Sequence, residues 1–93
     1  MTIVRRTIVI FFIFFSYMDR KEILTKFGKN LRTIRLSKKL SQERLAELIS
    51  VDRTYIGMIE RGEKSISLVY LVRLMDVLHI NANDLFRGLN NEE

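Results

Sequence analysis

The chain has 93 residues, of which 47% are hydrophobic and 29% charged, with no proline, cysteine or tryptophan. That is one small domain held together by packing alone, without disulfides, thiolate zinc sites or a cysteine nucleophile, and its single histidine, His79, cannot build a His-rich metal site or a conventional triad. Sixteen Lys and Arg against 11 Asp and Glu leave a net charge of +5. The excess sits between residues 20 and 53, where ten bases face four acids, whereas residues 54–93 hold four bases and six acids. Such a bipolar domain can place one face on a phosphate backbone and keep the other for protein contacts.

Residues 1–17 differ from the rest. After Arg5 and Arg6 the run from Thr7 to Met18 carries no charge, yet even Ile3 to Met18 falls short of the roughly 20 apolar residues that span a bilayer. A signal peptide would need a small-residue cleavage site, and Asp19-Arg20-Lys21-Glu22 follows instead. The expectation is that Met18 is the working start, with residues 1–17 an apolar extension either not made or outside the fold. Residues 18–93 then form the domain.

From Lys21 onward, apolar residues recur every three or four positions, which predicts helices and no sheet. A first helix is expected from Lys21 to Lys38, burying Leu24, Phe27, Leu31 and Ile34 and slightly weakened by Gly28. Ser41 caps a second, whose stripe is Leu45, Leu48 and Ile49; Asp52 caps a third from Arg53 to Arg61, burying Ile56 and Ile59 and ended by Gly62. Ser67 caps a fourth with the stripe Leu68, Leu71, Val72 and Met75. Asn81 or Asn83 caps a short fifth holding Leu85, Phe86 and Leu89.

The second and third helices are joined by so short a turn that they must cross steeply, with a small residue, Ala46, at the approach. That arrangement reads as a helix-turn-helix. The strings Ser41-Gln42-Glu43-Arg44-Leu45-Ala46-Glu47-Leu48 and Arg53-Thr54-Tyr55-Ile56-Gly57-Met58-Ile59-Glu60-Arg61-Gly62 also resemble the Cro/repressor family of helix-turn-helix DNA-binding domains, over about Phe27 to Phe86. The resemblance implies an all-α, five-helix, lambda-repressor-like fold. The run Asp52 to Ile56 with Ile59 to Glu63 is similar, more narrowly, to the controller proteins of type II restriction-modification systems; phage-type repressors and antitoxins share the fold. Where the family often has glycine in the turn this chain has Ser50, which predicts a mildly strained left-handed serine.

Arg53, Thr54 and Tyr55 open the third helix, the end that enters the major groove in this motif. Arg53 can fork onto guanine O6 and N7, or take a phosphate; Thr54 can meet a thymine methyl or a phosphate; Tyr55 can offer a hydroxyl to the backbone or pack inward. Gln42, beside a positive helix end, resembles the family's phosphate-clamping glutamine, with Arg44, Lys38, Lys64 and Ser65 as further backbone contacts. Gly57 can permit close approach of DNA or of another helix. The resemblance further implies that Arg35 and Glu60 form a structural ion pair fixing the third helix.

A single half-site seldom binds tightly enough, so a homodimer is expected, with Tyr70, Leu74, Val77, Leu85, Phe86 and Leu89 as its interface; the alternative for these is a satellite core. The implied partners are a pseudo-palindromic double-stranded DNA operator and RNA polymerase, in the cytoplasm, with no cofactor, metal or small-molecule substrate. The implied circuit activates the endonuclease gene and autoregulates the protein's own. Three rivals have distinct signatures: an enzyme, disfavoured by the absent nucleophiles and phosphate-cradling loop; a regulator anchored through residues 3–18; and a protein-only module, which would not need Arg53.

Overall fold

The computed structural model describes residues 18–89; the expected extension, residues 1–17, lies outside them. The five helices are α1 (Arg20–Ser37), α2 (Gln42–Ile49), α3 (Arg53–Glu60), α4 (Leu68–Leu78) and α5 (Ala82–Leu85), and no strand occurs among the described residues.

Local chemistry sets most of these boundaries. The Glu22 N–H donates to Asp19 Oδ1 at 2.8 Å, starting α1 one residue earlier than expected. Ser41 Oγ accepts the Arg44 N–H at 2.9 Å and opens α2. Asn81, not Asn83, caps α5, in a reciprocal capping box with Asp84 at 3.2 Å in each direction. Asp52 occupies the N-cap position of α3, but its side chain makes no capping hydrogen bond, contrary to the sequence expectation. At the far end of α3, Gly62 adopts φ +74°, its N–H donates to Ile59 O, and the Glu63 N–H donates to Met58 O. This is the Schellman closure that glycine makes without strain. Ser50 ends α2 with φ 65° and ψ 47°, the left-handed backbone expected there, and His79 ends α4 in the same conformation.

One core joins the helices, with Leu31, Leu45, Ile49, Ile56, Ile59, Leu74, Leu78 and Leu85 all but inaccessible to water. α3 lies against both α1 and α2, α4 against α2, and α5 against α1. The α1–α3 crossing depends on Gly28. A Cβ there would collide with Ile59 O and stand 2.5 Å from Glu60 O, so the residue read as a weak spot in α1 is where two backbones touch.

Several side chains fall on other faces than their periodicity suggested. In α2 the buried set is Leu45, Ala46 and Ile49, with Leu48 exposed. In α4 the expected core residues Leu68 and Val72 are 73% and 53% exposed, while Leu74 and Leu78 are buried. Nine of the eleven residues of α4 are apolar, so periodicity could not choose its inward face. Tertiary contacts did: Arg73 Nη1 donates to Ile49 O at 3.2 Å and its guanidinium lies 5.4 Å from the Tyr70 ring centroid. Leu74 and Leu85 belong to the domain's own core and cannot be interface contacts. Phe86, 40% exposed, packs against Phe27 with the rings tilted by 45° and their centroids 5.7 Å apart, and Tyr70, Val77 and Leu89 are half-buried around the core.

Candidate nucleic-acid interface

The residues that could meet DNA stand on a braced scaffold. Glu60, at the last turn of α3, is buried together with Arg35 of α1, the two side chains only 2% and 7% exposed. Arg35 Nε donates to Glu60 Oε2 at 2.6 Å, and Arg35 Nη2 to Glu60 Oε1 at 3.0 Å, a two-pronged pairing. Arg35 Nη1 donates to Leu40 O at 2.8 Å, and Gln42 Nε2 donates to Glu60 Oε1 at 3.0 Å. Three helices therefore meet on one carboxylate, and the angle of α3 is set by directional bonds as well as by packing. No buried side-chain polar atom of the described residues is left unpartnered.

On the open side of α3 a cleft of about 210 Å³ is lined by Gln42, Arg53, Thr54, Gly57 and Arg61. Positions 53, 54, 57 and 61 share one arc of a helix with 3.6 residues per turn. Arg53 and Thr54 are exposed, and Arg53 forms no ion pair or side-chain hydrogen bond with any described residue. An unpaired guanidinium beside free helix N–H groups is a strong site for an anion and a geometric fit to the edge of guanine.

Tyr55 is built in differently. Its hydroxyl oxygen accepts the Ser67 N–H at 3.0 Å, and its ring meets Tyr70 edge-on at 5.5 Å, so it struts the start of α4 while its own O–H remains a free donor. Gln42 has one amide hydrogen on Glu60 and one to spare. Arg44 is exposed and donates to Glu47 Oε1 at 3.0 Å. Lys64 and Ser65 are exposed in the loop after α3. Lys38 is not brought to the cleft: it lines a separate hollow with residues of α1 and α5, including Asn30, Thr33 and Asp84. Arg61 is the cleft residue that the sequence reading passed over, although it stands eight positions beyond Arg53, on the same arc.

These features define a helix-turn-helix protein with an open recognition helix, and the sequence model of the helix-turn-helix family matches residues 31–85; the chain belongs to that family. Within it, the chain is similar to control proteins. Control protein C.SmaI from Serratia marcescens is 42% identical over 79 residues, covering 83% of this chain and 90% of that one, and control protein C.MunI from a Mycoplasma species is 39% identical over 72 residues, covering 76% and 97%. The crystal structure of the restriction-modification controller protein C.AhdI from Aeromonas hydrophila aligns with TM-score 0.65 and 48% identity, over 68% of this chain and 96% of that one. No helix among the described residues is long and apolar enough to cross a membrane.

Proposed function

We propose that the protein is a sequence-specific transcriptional regulator of a restriction-modification system, binding double-stranded operator DNA as a homodimer. The observation that carries this reading is the exposed amino end of α3, with unpaired Arg53 and Thr54, on a helix anchored at its far end by the buried Arg35–Glu60 pair and its bond from Gln42. Arg53 reads a guanine, and Thr54 a thymine methyl. Gln42, Tyr55 Oη, Arg44, Lys64 and Ser65 hold phosphates and so set register. The cytoplasmic operator lies beside the protein's own gene, and occupancy of stronger and weaker sites there recruits or blocks RNA polymerase.

A gel shift on the DNA flanking its own gene, at two salt concentrations, tests the reading. Retention that weakens steeply with salt supports it, because each neutralised phosphate adds about 0.9 to the log–log slope. Arg53→Ala is expected to cost about 1–3 kcal/mol of preference for operator over base-substituted sites. No retardation of any fragment would reject the reading.

Of the expected dimer residues Tyr70, Leu74, Val77, Leu85, Phe86 and Leu89, Leu74 and Leu85 are buried in the monomer, and we place the centre of the dimer surface on the apolar patch that the monomer leaves in water. Leu68, Val69 and Val72 are 73%, 59% and 53% exposed and adjacent on α4, where a two-fold axis would bury them against their own copies. Val72→Glu is expected to give a folded monomer in sedimentation equilibrium, with operator affinity falling sharply while circular dichroism stays unchanged. A Val72→Glu protein that remains dimeric would show that the copies meet elsewhere.

A further inference from the structure

The carboxylate of Glu63 is exposed and directly engages Arg61, one of the residues lining the cleft on α3. Arg61 Nε donates to Glu63 Oε2 at 2.8 Å and Arg61 Nη2 to Glu63 Oε1 at 3.1 Å, the same parallel fork that a guanidinium makes with a phosphate. The third nitrogen, Nη1, lies across Gly57: a Cβ on Gly57 would stand 3.1 Å from it. Gly57 is consequently buried, although it lies at the middle of the open face of α3. Schellman closure at Gly62 turns the chain back so that Glu63, two residues on, reaches the arginine.

We propose that Glu63 is a resident competitor for the DNA phosphate: in the free protein it parks Arg61 over Gly57, and a seated duplex takes Arg61 over, uncovering the Gly57 backbone for close approach. The inference rests on the regulator reading above and assigns Arg61 as a further DNA contact, with Glu63 setting its availability. Exposure makes the exchange feasible. Both side chains are more than half accessible, 57% and 51%, and exposed pairs of this kind contribute little to stability, so a phosphate in the strong field of a duplex can displace the carboxylate. The hydrogen bond from Arg61 also shifts the Glu63 carboxyl downward from its ordinary value, the direction expected when the ionised form is the one engaged.

Binding of the full chain to two duplexes, its footprinted operator and a mixed-sequence control, tests this across a salt series. Four proteins are compared: wild type, Glu63→Gln, Arg61→Ala and the double variant. Glu63→Gln is expected to tighten both duplexes about three- to fivefold, the gain available from freeing an exposed pair. Arg61→Ala should weaken both and lower the log–log salt slope by about 0.9, one phosphate contact. In the Arg61→Ala background, Glu63→Gln should add much less than it does alone. Equal gains in both backgrounds would mean that Glu63 acts only as a diffuse charge, and the exchange would be overturned; so would an unchanged Glu63→Gln. Wild-type protein that binds neither duplex would instead overturn the regulator reading on which the proposal stands.

Discussion

Glu60→Ala is expected to destabilise the domain by about 3–5 kcal/mol, because it strands the Arg35 guanidinium in a site only 7% exposed. Small domains have about 5–15 kcal/mol in total, so urea unfolding should show a much lower midpoint and a partly unfolded population without denaturant. Three donor groups lose their acceptor at once: Arg35 Nε, Arg35 Nη2 and Gln42 Nε2. The paired replacement Arg35→Met with Glu60→Leu should recover most of the loss, since apolar residues of similar volume remove the buried charge altogether. If it does, and its operator preference is nonetheless blurred, the network's contribution is to the angle of α3 more than to stability. A loss below about 1 kcal/mol for Glu60→Ala would mean that the pair is solvated and braces nothing.

The second large effect is expected from a single methyl group. Alanine normally stabilises a helix by up to about 1 kcal/mol over glycine. At position 28 the added carbon would meet the main-chain oxygens of Ile59 and Glu60, which cannot swing aside as a side chain can. Forcing the helices apart costs about 1–3 kcal/mol or more, so Gly28→Ala should lower the melting temperature by several degrees despite its better propensity. Gly57→Ala is the internal comparison. Its Cβ would meet chiefly the mobile end of Arg61, so propensity should prevail and the melting temperature should rise. Thermal melts in which both substitutions move the midpoint in the same direction would contradict this account of the α1–α3 contact.

Those two glycines show what sequence could and could not convey. Ser41 and Ser67 were readable as caps, and Asn81 as one of two candidates with Asn83, because a side chain three residues from its target N–H is a local fact, and the structure has all three bonded there. The left-handed Ser50 was expected for a different reason, the glycine that the resembled family often has in that turn, and the structure has it at φ 65°. Gly28 was not, because a close approach belongs to two segments 31 or more residues apart, and only the fold brings Ile59 and Glu60 beside it. The register of α4 failed for a different cause: a helix that is apolar nearly all round offers two plausible inward faces, and Arg73 reaching Ile49 O selects one. At the candidate interface, Arg53 and Thr54 were legible from their position at a helix start. The double duty of Gln42, bonded to Glu60 while lining the cleft, and the parking of Arg61 on Glu63 depend on where long side chains settle, which periodicity does not specify.

In the proposed complex the amino end of α3 lies in the major groove with Arg53 on a guanine. Dimethyl sulfate probing of the bound operator addresses it directly, since the reagent methylates guanine N7 in the major groove and adenine N3 in the minor groove. Wild-type protein is expected to shield guanine N7 in both half-sites, and Arg53→Ala, still folded and bound, to re-expose one guanine in each. Protection confined to adenine N3, or a guanine pattern identical for wild type and Arg53→Ala, would contradict it.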